Sequence, residues 1–432
     1  MRKWLWLAVI LVLIGCTNES ESTNETDPLD DLLGVWHGQI EVPNMPLNIQ
    51  LTFEHDEQDQ IVGFIDIPAQ GISRYPLSSL EHDEGQVRFQ MDVPGQFIEF
   101  VSDLPSDGKL TGDFKQQGHT FDFALEEGEL MTQSEANEEV DWLSVETEVG
   151  TLKGELEQPS EATNETVALI IPGSGPTDRN GNGSGVESDS LKLLAESLAS
   201  QGVASLRYGK RGAGENQDVS IPEEEMTIER MAEDAVQWIE RLNEDYKQVV
   251  VIGHSQGALI GQLAALQTDV DGFISIAGAG RPIDDVLQDQ LEQQLPQDSM
   301  QQASDVLEQL REGNMVEEEA INSELYSIFR PTIQPFLMSW MAYDPADSIS
   351  ELEVPPLIIQ GTHDRQVTEE DAERLAEAHD ESQLVIVYKM DHVLKVSDGQ
   401  DDLSNYKNPN EPLSDRMLEA LKGYISNETV EK

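Results

Sequence analysis

Val249-Val250-Val251-Ile252-Gly253-His254-Ser255-Gln256-Gly257 decides the reading of this chain. A β-branched run ends in G-x-S-x-G, and helix-forming residues, Ala258 to Gln267, follow at once. Strand, tight turn and helix are the context in which such a serine becomes an exposed nucleophile. The turn forces the serine backbone into a strained conformation, so Gly253 and Gly257 keep strand and helix from colliding. The bland alternative is a glycine-rich turn with an idle serine.

A serine hydroxyl needs a base, and the base needs an orienting carboxylate. Both are expected after later strands, in the order serine, acid, histidine. Pro356 to Gly361 reads as a buried parallel strand, and Asp364 follows it as the expected acid. A helix over Thr368 to His379 and a strand over Leu384 to Tyr388 come next, and His392 is the expected base. His363 is a weaker rival base because it comes one strand too early. Asp391 is a weaker rival acid because adjacent side chains rarely meet in the imidazole plane. His37, His55, His82 and His119 fall in a different region and read as surface residues.

An acyl-transfer site also needs two donors for an oxyanion. The amide of Gln256, next after the nucleophile, is one. The loop Pro172 to Pro176 follows the strand Val167 to Ile171, and its small residues allow close backbone approach to a carbonyl. Ser174 is the expected second donor, with Gly173 and Gly175 as near rivals. Asp178, Asn180, Asn182, Gly183 and Asp189 match calcium-loop positions. A strand precedes them where a helix belongs, and the last position lacks the bidentate Glu, so no metal and no cofactor is expected.

Taken together, the elbow, the loop Gly173 to Asn182, Leu206 to Gly212, Phe329-Arg330-Pro331, Met341 to Pro345 and Gly361 to Asp364 resemble bacterial α/β-hydrolases of the serine-aminopeptidase-like esterase group. The resemblance covers roughly residues 140–425. One departure is Gly209, where that group usually has Asp. The resemblance implies a mostly parallel sheet with helices on both faces, and a cap over the pocket from the insertion at about residues 281–343. Leu291, Leu295, Val306, Leu310, Phe329, Phe336 and Trp340 are its candidate packing residues, some of them lining the pocket.

Residues 32–128 alternate apolar and polar side chains between Asp/Gly turns, the pattern of a small all-β barrel. Some of these esterases carry such a domain before the hydrolase. Residues 129–139 read as a linker, and 140–432 as the α/β-hydrolase domain. At the start, Arg2 and Lys3 precede a short apolar core, and Leu13-Ile14-Gly15-Cys16 resembles the lipobox of bacterial lipoproteins. Residues 1–15 are therefore expected to be a signal peptide, Cys16 the lipid attachment site, and 16–31 a flexible tether. This places the protein on the outer face of the cell membrane. Cys16 is the only cysteine, which excludes an intrachain disulfide.

The expected activity is cleavage of short or medium acyl esters. The alternatives are a serine aminopeptidase or amidase and, from another class, a noncatalytic surface-binding lipoprotein. An amine-binding site would need a carboxylate at the pocket, with Asp284, Asp285, Glu317 and Glu318 as candidates. No sequence feature specifies an oligomeric state.

The chain of 432 residues holds 84 acidic residues against 26 Lys and Arg, a formal net charge of −58. Nucleic acid is excluded as a partner because its phosphates would be repelled. The excess is spread along the whole chain, as expected of an exported protein exposed to high salt or alkaline medium; the bland alternative is a well-solvated surface. Self-repulsion of the compact state weakens as the Debye length falls from about 10 Å at 0.1 M salt to about 3 Å at 1 M. The melting temperature of residues 32–432 should rise steeply across a sodium chloride series, and no single Glu→Gln change should reproduce the rise. A flat or falling melting temperature would show that the acidity is not a salt adaptation.

Overall fold

The computed structural model describes residues 28–426, apart from 42–46, 57–59, 68–71, 84, 94–95, 107, 117–118, 129–139, 162–164, 184, 293–294 and 323. The residues read as signal peptide, Cys16 and the segment read as linker lie outside the described residues.

Eight antiparallel strands close into a barrel: β1 (Gly34–Ile40), β2 (Leu47–His55), β3 (Ile61–Ile67), β4 (Ile72–Asp83), β5 (Gln86–Val93), β6 (Gln96–Asp103), β7 (Lys109–Gln116) and β8 (His119–Glu127). β1 pairs with both β2 and β8, which leaves no free edge. The period-two apolar positions point inward and fill the interior with aromatic rings. Phe89 stacks on Phe100 at 4.8 Å between centroids, and Phe123 meets Phe100 edge-on at 5.4 Å. Residues Pro28–Leu32, which run from the end of the segment read as tether into the first residue of the barrel domain, form a 3-10 helix. Leu32 is buried against the barrel core, and its carbonyl accepts the Trp36 indole N–H at 2.6 Å. The four early histidines all lie on barrel strands.

The second domain is a sheet of eight strands: β9 (Trp142–Thr147), β10 (Gly150–Glu157), β11 (Thr166–Ile171), β12 (Ala204–Arg207), β13 (Gln248–His254), β14 (Gly272–Ile276), β15 (Pro356–Gly361) and β16 (Gln383–Val387). Their spatial order is β16-β15-β14-β13-β11-β12-β10-β9. β11 to β16 are parallel, and β9 and β10 run antiparallel to their neighbours. The uninterrupted apolar runs of β11, β13 and β14 fit strands covered on both faces. On one face α2 (Ile228–Asp245) lays Ile228, Ala232, Ala235, Trp238 and Leu242 on the sheet, a helical stripe started by the Thr227 cap. α3 (Gln256–Ala265) lies on the same face. α1 (Ser190–Ser200) covers the other with Leu191, Leu194 and Leu198. β11 is flanked by β12 and β13, so its connections leave in opposite directions. The crevice this opens at the carboxyl ends of the strands is where such sheets bind ligands.

After β14 come the four cap helices α4 (Ile283–Glu292), α5 (Gln297–Arg311), α6 (Tyr326–Phe329) and α7 (Gln334–Met341). Leu291, Val306, Leu310 and Phe329 build the cap's own core, whereas Phe336 and Trp340 pack towards the sheet domain. Arg281 ties the start of the cap to Asp371 at 2.9 Å, in the first turn of the helix Glu369–Ala378.

Candidate active site

Ser255 sits between β13 and α3 with φ 54° and ψ −121°, a conformation that non-glycine residues avoid. Packing holds it there. A Cβ at Gly253 would lie 2.3 Å from the Gly257 carbonyl oxygen, and one at Gly257 would lie 2.3 Å from that of Ile171. The Ser255 amide donates to the Ile276 carbonyl at 2.9 Å, which pins the turn to the neighbouring strand. The two glycines therefore act by close approach, as their spacing implies.

Asp364 follows β15, and His392 follows β16. His392 Nδ1 donates to Asp364 Oδ2 at 2.8 Å; the carboxylate only accepts, so this bond leaves Nε2 as the ring's acceptor. Asp364 Oδ1 accepts the amides of Gln366 at 2.8 Å and Val367 at 3.1 Å, and Gln360 donates to Oδ2 at 3.1 Å. Burial would raise this carboxyl, but His392 and the two amides together hold it below its ordinary value. Ser255 and His392 line one cavity of about 280 Å³ with the loop Gly173 to Thr177. The structure thus brings together the three residues of the expected triad order.

The expected oxyanion donors border the same place. Gln256 is the first residue of α3, where an amide has no intrahelical acceptor. Ser174 lines the cavity, and its carbonyl accepts the Thr177 hydroxyl at 2.9 Å. Of its rivals, Gly175 has φ +84°, and Gly173 packs so close that a Cβ would lie 3.3 Å from both His254 and Ser255.

The rival residues are engaged elsewhere. Asp391 accepts from Asn405 Nδ2 at 2.7 Å and from the Lys395 amide at 3.0 Å, which fixes the loop that carries His392. His363 Nδ1 pairs with the Ser397 hydroxyl at 2.9 Å. The calcium-like residues bind their own loop. Asp178 Oδ1 accepts the amides of Asn180 and Asn182, and Asn182 Nδ2 donates to Asp189 at 2.6 Å. At Gly209 a Cβ would lie 3.3 Å from the Glu215 carboxylate, which already accepts the Gly209 amide at 2.7 Å. An Asp there would set a second carboxylate against the first.

Two contributors escaped the sequence reading. Lys210, in the basic stretch after β12, reaches Gln256 Oε1 at 2.5 Å. His254, inside the elbow motif, donates from Nε2 to the His392 carbonyl at 2.8 Å. Its place beside the serine was visible, but its partner lies 138 residues away in sequence. Of the cap residues proposed to line a pocket, Phe336 does so, in a second cavity next to the first. Asp284, Asp285, Glu317 and Glu318 line neither cavity.

Burial, reinforced by the His392 ring, pushes His254 down to about 4 from 6.5. The unfolded chain therefore takes up this proton at a pH where the folded chain still refuses it. Stability from this group is complete above the unfolded value and is lost as pH falls towards the folded one, by at most about 3 kcal/mol. Urea melts from about pH 7 to about pH 4 should show a shallower loss in His254→Gln than in wild type. Parallel curves would refute the linkage.

The family described as serine aminopeptidase, S33, matches residues 182–394. Esterase EstD of Thermotoga maritima is 29% identical over 273 residues, which is 62% of each chain. The chain thus spans about three-fifths of the length of that curated relative. Est1E from Butyrivibrio proteoclasticus, solved with ferulic acid, aligns at 16% identity and a TM-score of 0.46, over 66% of this chain and 98% of that one. The esterase domain of a Rhodothermus marinus protein aligns at 16% and 0.43, over 67% and 99%. Behind its eight-stranded barrel, this chain carries an α/β-hydrolase fold, and residues 182–394 of it are similar to the serine aminopeptidase, S33, family.

Proposed function

We propose that the protein is a serine hydrolase that cleaves carboxylic esters through an acyl-enzyme on Ser255, and that a lipid on Cys16 anchors it to the outer face of the cell membrane. The observation that carries the reading is the buried 2.8 Å bond from His392 Nδ1 to Asp364 in a residue that shares a cavity with a strained serine.

In the first half-reaction Ser255 Oγ bonds to the ester carbonyl carbon and its proton passes to His392 Nε2. The amides of Gln256 and Ser174 receive the oxyanion, each worth about 3 kcal/mol in the transition state. The carbon–oxygen bond to the alcohol then breaks, and His392 returns the proton to the departing oxygen. Water repeats the sequence on the acyl-enzyme, leaving the acid and free Ser255. Asp364 stays ionised throughout and stabilises the imidazolium.

Amine recognition is the less favoured reading because the carboxylates lining the neighbouring cavity are already occupied. Asp234 and Glu223 line the neighbouring cavity, paired with Arg211 and Arg330. A purely binding role fits poorly with the turn strain at Ser255, which an idle serine would have no reason to bear.

Ser255→Ala should fold normally and lose about 10⁶-fold in kcat, the usual cost of removing such a nucleophile. Hydrolysis of p-nitrophenyl esters alongside fluorophosphonate labelling checks this, and a variant retaining about a tenth of wild-type turnover would overturn the assignment. Cys16→Ser should move the protein out of the membrane fraction or block its processing, without harming the catalytic domain. An unchanged, lipid-labelled product would sink the anchor.

A further inference from the structure

Next to the cavity of Ser255 and His392 lies a second, of about 240 Å³, with Gly175 and Pro176 as their common wall. Much of its lining is apolar: Ile221, Met226, Met231, Ile260, Ile333 and Phe336. Five charged residues also line it. Four of them neutralise one another. Arg211 holds Asp234 in a bidentate pair at 2.6 and 2.7 Å, and Arg330 Nε donates to Glu223 at 2.9 Å. The fifth is Lys210.

Lys210 is buried, and burial lowers it to about 7 with no nearby carboxylate to oppose the shift. Its ammonium donates to a neutral acceptor, Gln256 Oε1, at 2.5 Å. Gln256 Nε2 is itself buried with no partner among the described residues. A chain of net charge −58 therefore keeps a buried amine with no ion pair among the described residues beside its proposed nucleophile. Burying an unpaired charge is costly, and an anion from outside relieves the cost.

The chemistry assigns the two cavities. His392 must hand a proton to the leaving oxygen, so the alcohol occupies the cavity His392 lines. The second cavity, across Gly175 and Pro176, contains no part of the His392 loop and is left for the acyl arm. We propose that this cavity is the acyl subsite and that Lys210 is its specificity-determining residue, receiving a free carboxylate at the far end of the acyl chain. Half-esters of short dicarboxylic acids are then the preferred substrate class. The inference rests on the ester-hydrolase reading of Ser255 and adds the identity of the acyl group.

The test compares monomethyl adipate, methyl caproate and methyl aminocaproate, which present an anionic, a neutral and a cationic chain end. Methanol release by the lipid-free chain gives kcat/KM for each. The adipate half-ester should exceed the caproate ester by about tenfold or more, with the aminocaproate ester slowest. Lys210→Met should cut the adipate-to-caproate ratio by about tenfold, and Lys210→Arg should retain the preference. A lysine that only braces the elbow through Gln256 would lower both rates and leave their ratio unchanged, which would overturn the proposal. So would a wild-type ratio at or below one, or a preference for the amine. Fluorophosphonate labelling of the same wild-type preparation separates the two levels. A labelled enzyme active on methyl caproate but indifferent to the carboxylate overturns the subsite alone. An unlabelled enzyme inactive on all three esters overturns the hydrolase reading and the subsite with it.

Discussion

The backbone of Ser255 is the constraint on which the site depends. A serine at φ 54° and ψ −121° costs on the order of 1–3 kcal/mol and persists only where its surroundings over-determine it. Here the surroundings are three adjacent strands. β11 leaves room for Gly257 alone, β14 accepts the Ser255 amide, and α3 starts so close to β13 that Gly253 cannot carry a side chain. Each of these contacts lies in the sheet core or at its carboxyl edge. The stability of the sheet therefore maintains the strain that lifts the hydroxyl clear of its own helix.

The histidine is held by a longer chain of interactions. Asp364 takes the ring, His254 takes the main chain of the same residue, and Asp391 with Asn405 fixes the loop around it. The carboxylate that touches the imidazole and the one next to it in sequence thus divide the work between orientation and loop support. His254 belongs to the elbow, so the segment that presents the nucleophile also holds the base in register. Its low basicity keeps that bond the same across the neutral range, because a neutral ring still donates from Nε2.

The order of serine, acid and histidine was legible because each residue follows an apolar run that could only be a buried strand. The barrel was legible from period-two alternation, since a strand with one face inward must alternate. The 3-10 helix ahead of the barrel was not, because Leu29 sits in a polar, acidic stretch and only its packing against the barrel core marks it. Lys210 and His254 were missed for a different reason. Both act through single long-range contacts, and no local spacing encodes a partner 46 or 138 residues away. The cap shows the same limit. Its helices were visible, but whether a given apolar residue faced the cap core or the cavity depended on how the helices are oriented.

The distribution of charge links surface and site. With 26 basic residues against 84 acidic ones, cations are scarce, yet Arg179, Arg207, Lys210, Arg211 and Lys395 are all buried. Arg179 and Arg207 hold Glu155, Arg211 holds Asp234, and Lys395 binds the carbonyls of Ser188 and Asn408 at 2.6 Å. Arg179 also pairs with Glu215, so the loop after β11 is joined to the loops after β12 and β16. Placing cations inside leaves the surface carboxylates with few counter-ions, so repulsion is concentrated where solvent ions reach it. Buried pairs are screened far less than exposed charges. Salt can therefore relieve the exterior while leaving the electrostatics of the site in place, which allows one chain to combine an extreme surface charge with a site organised by a few fixed ions.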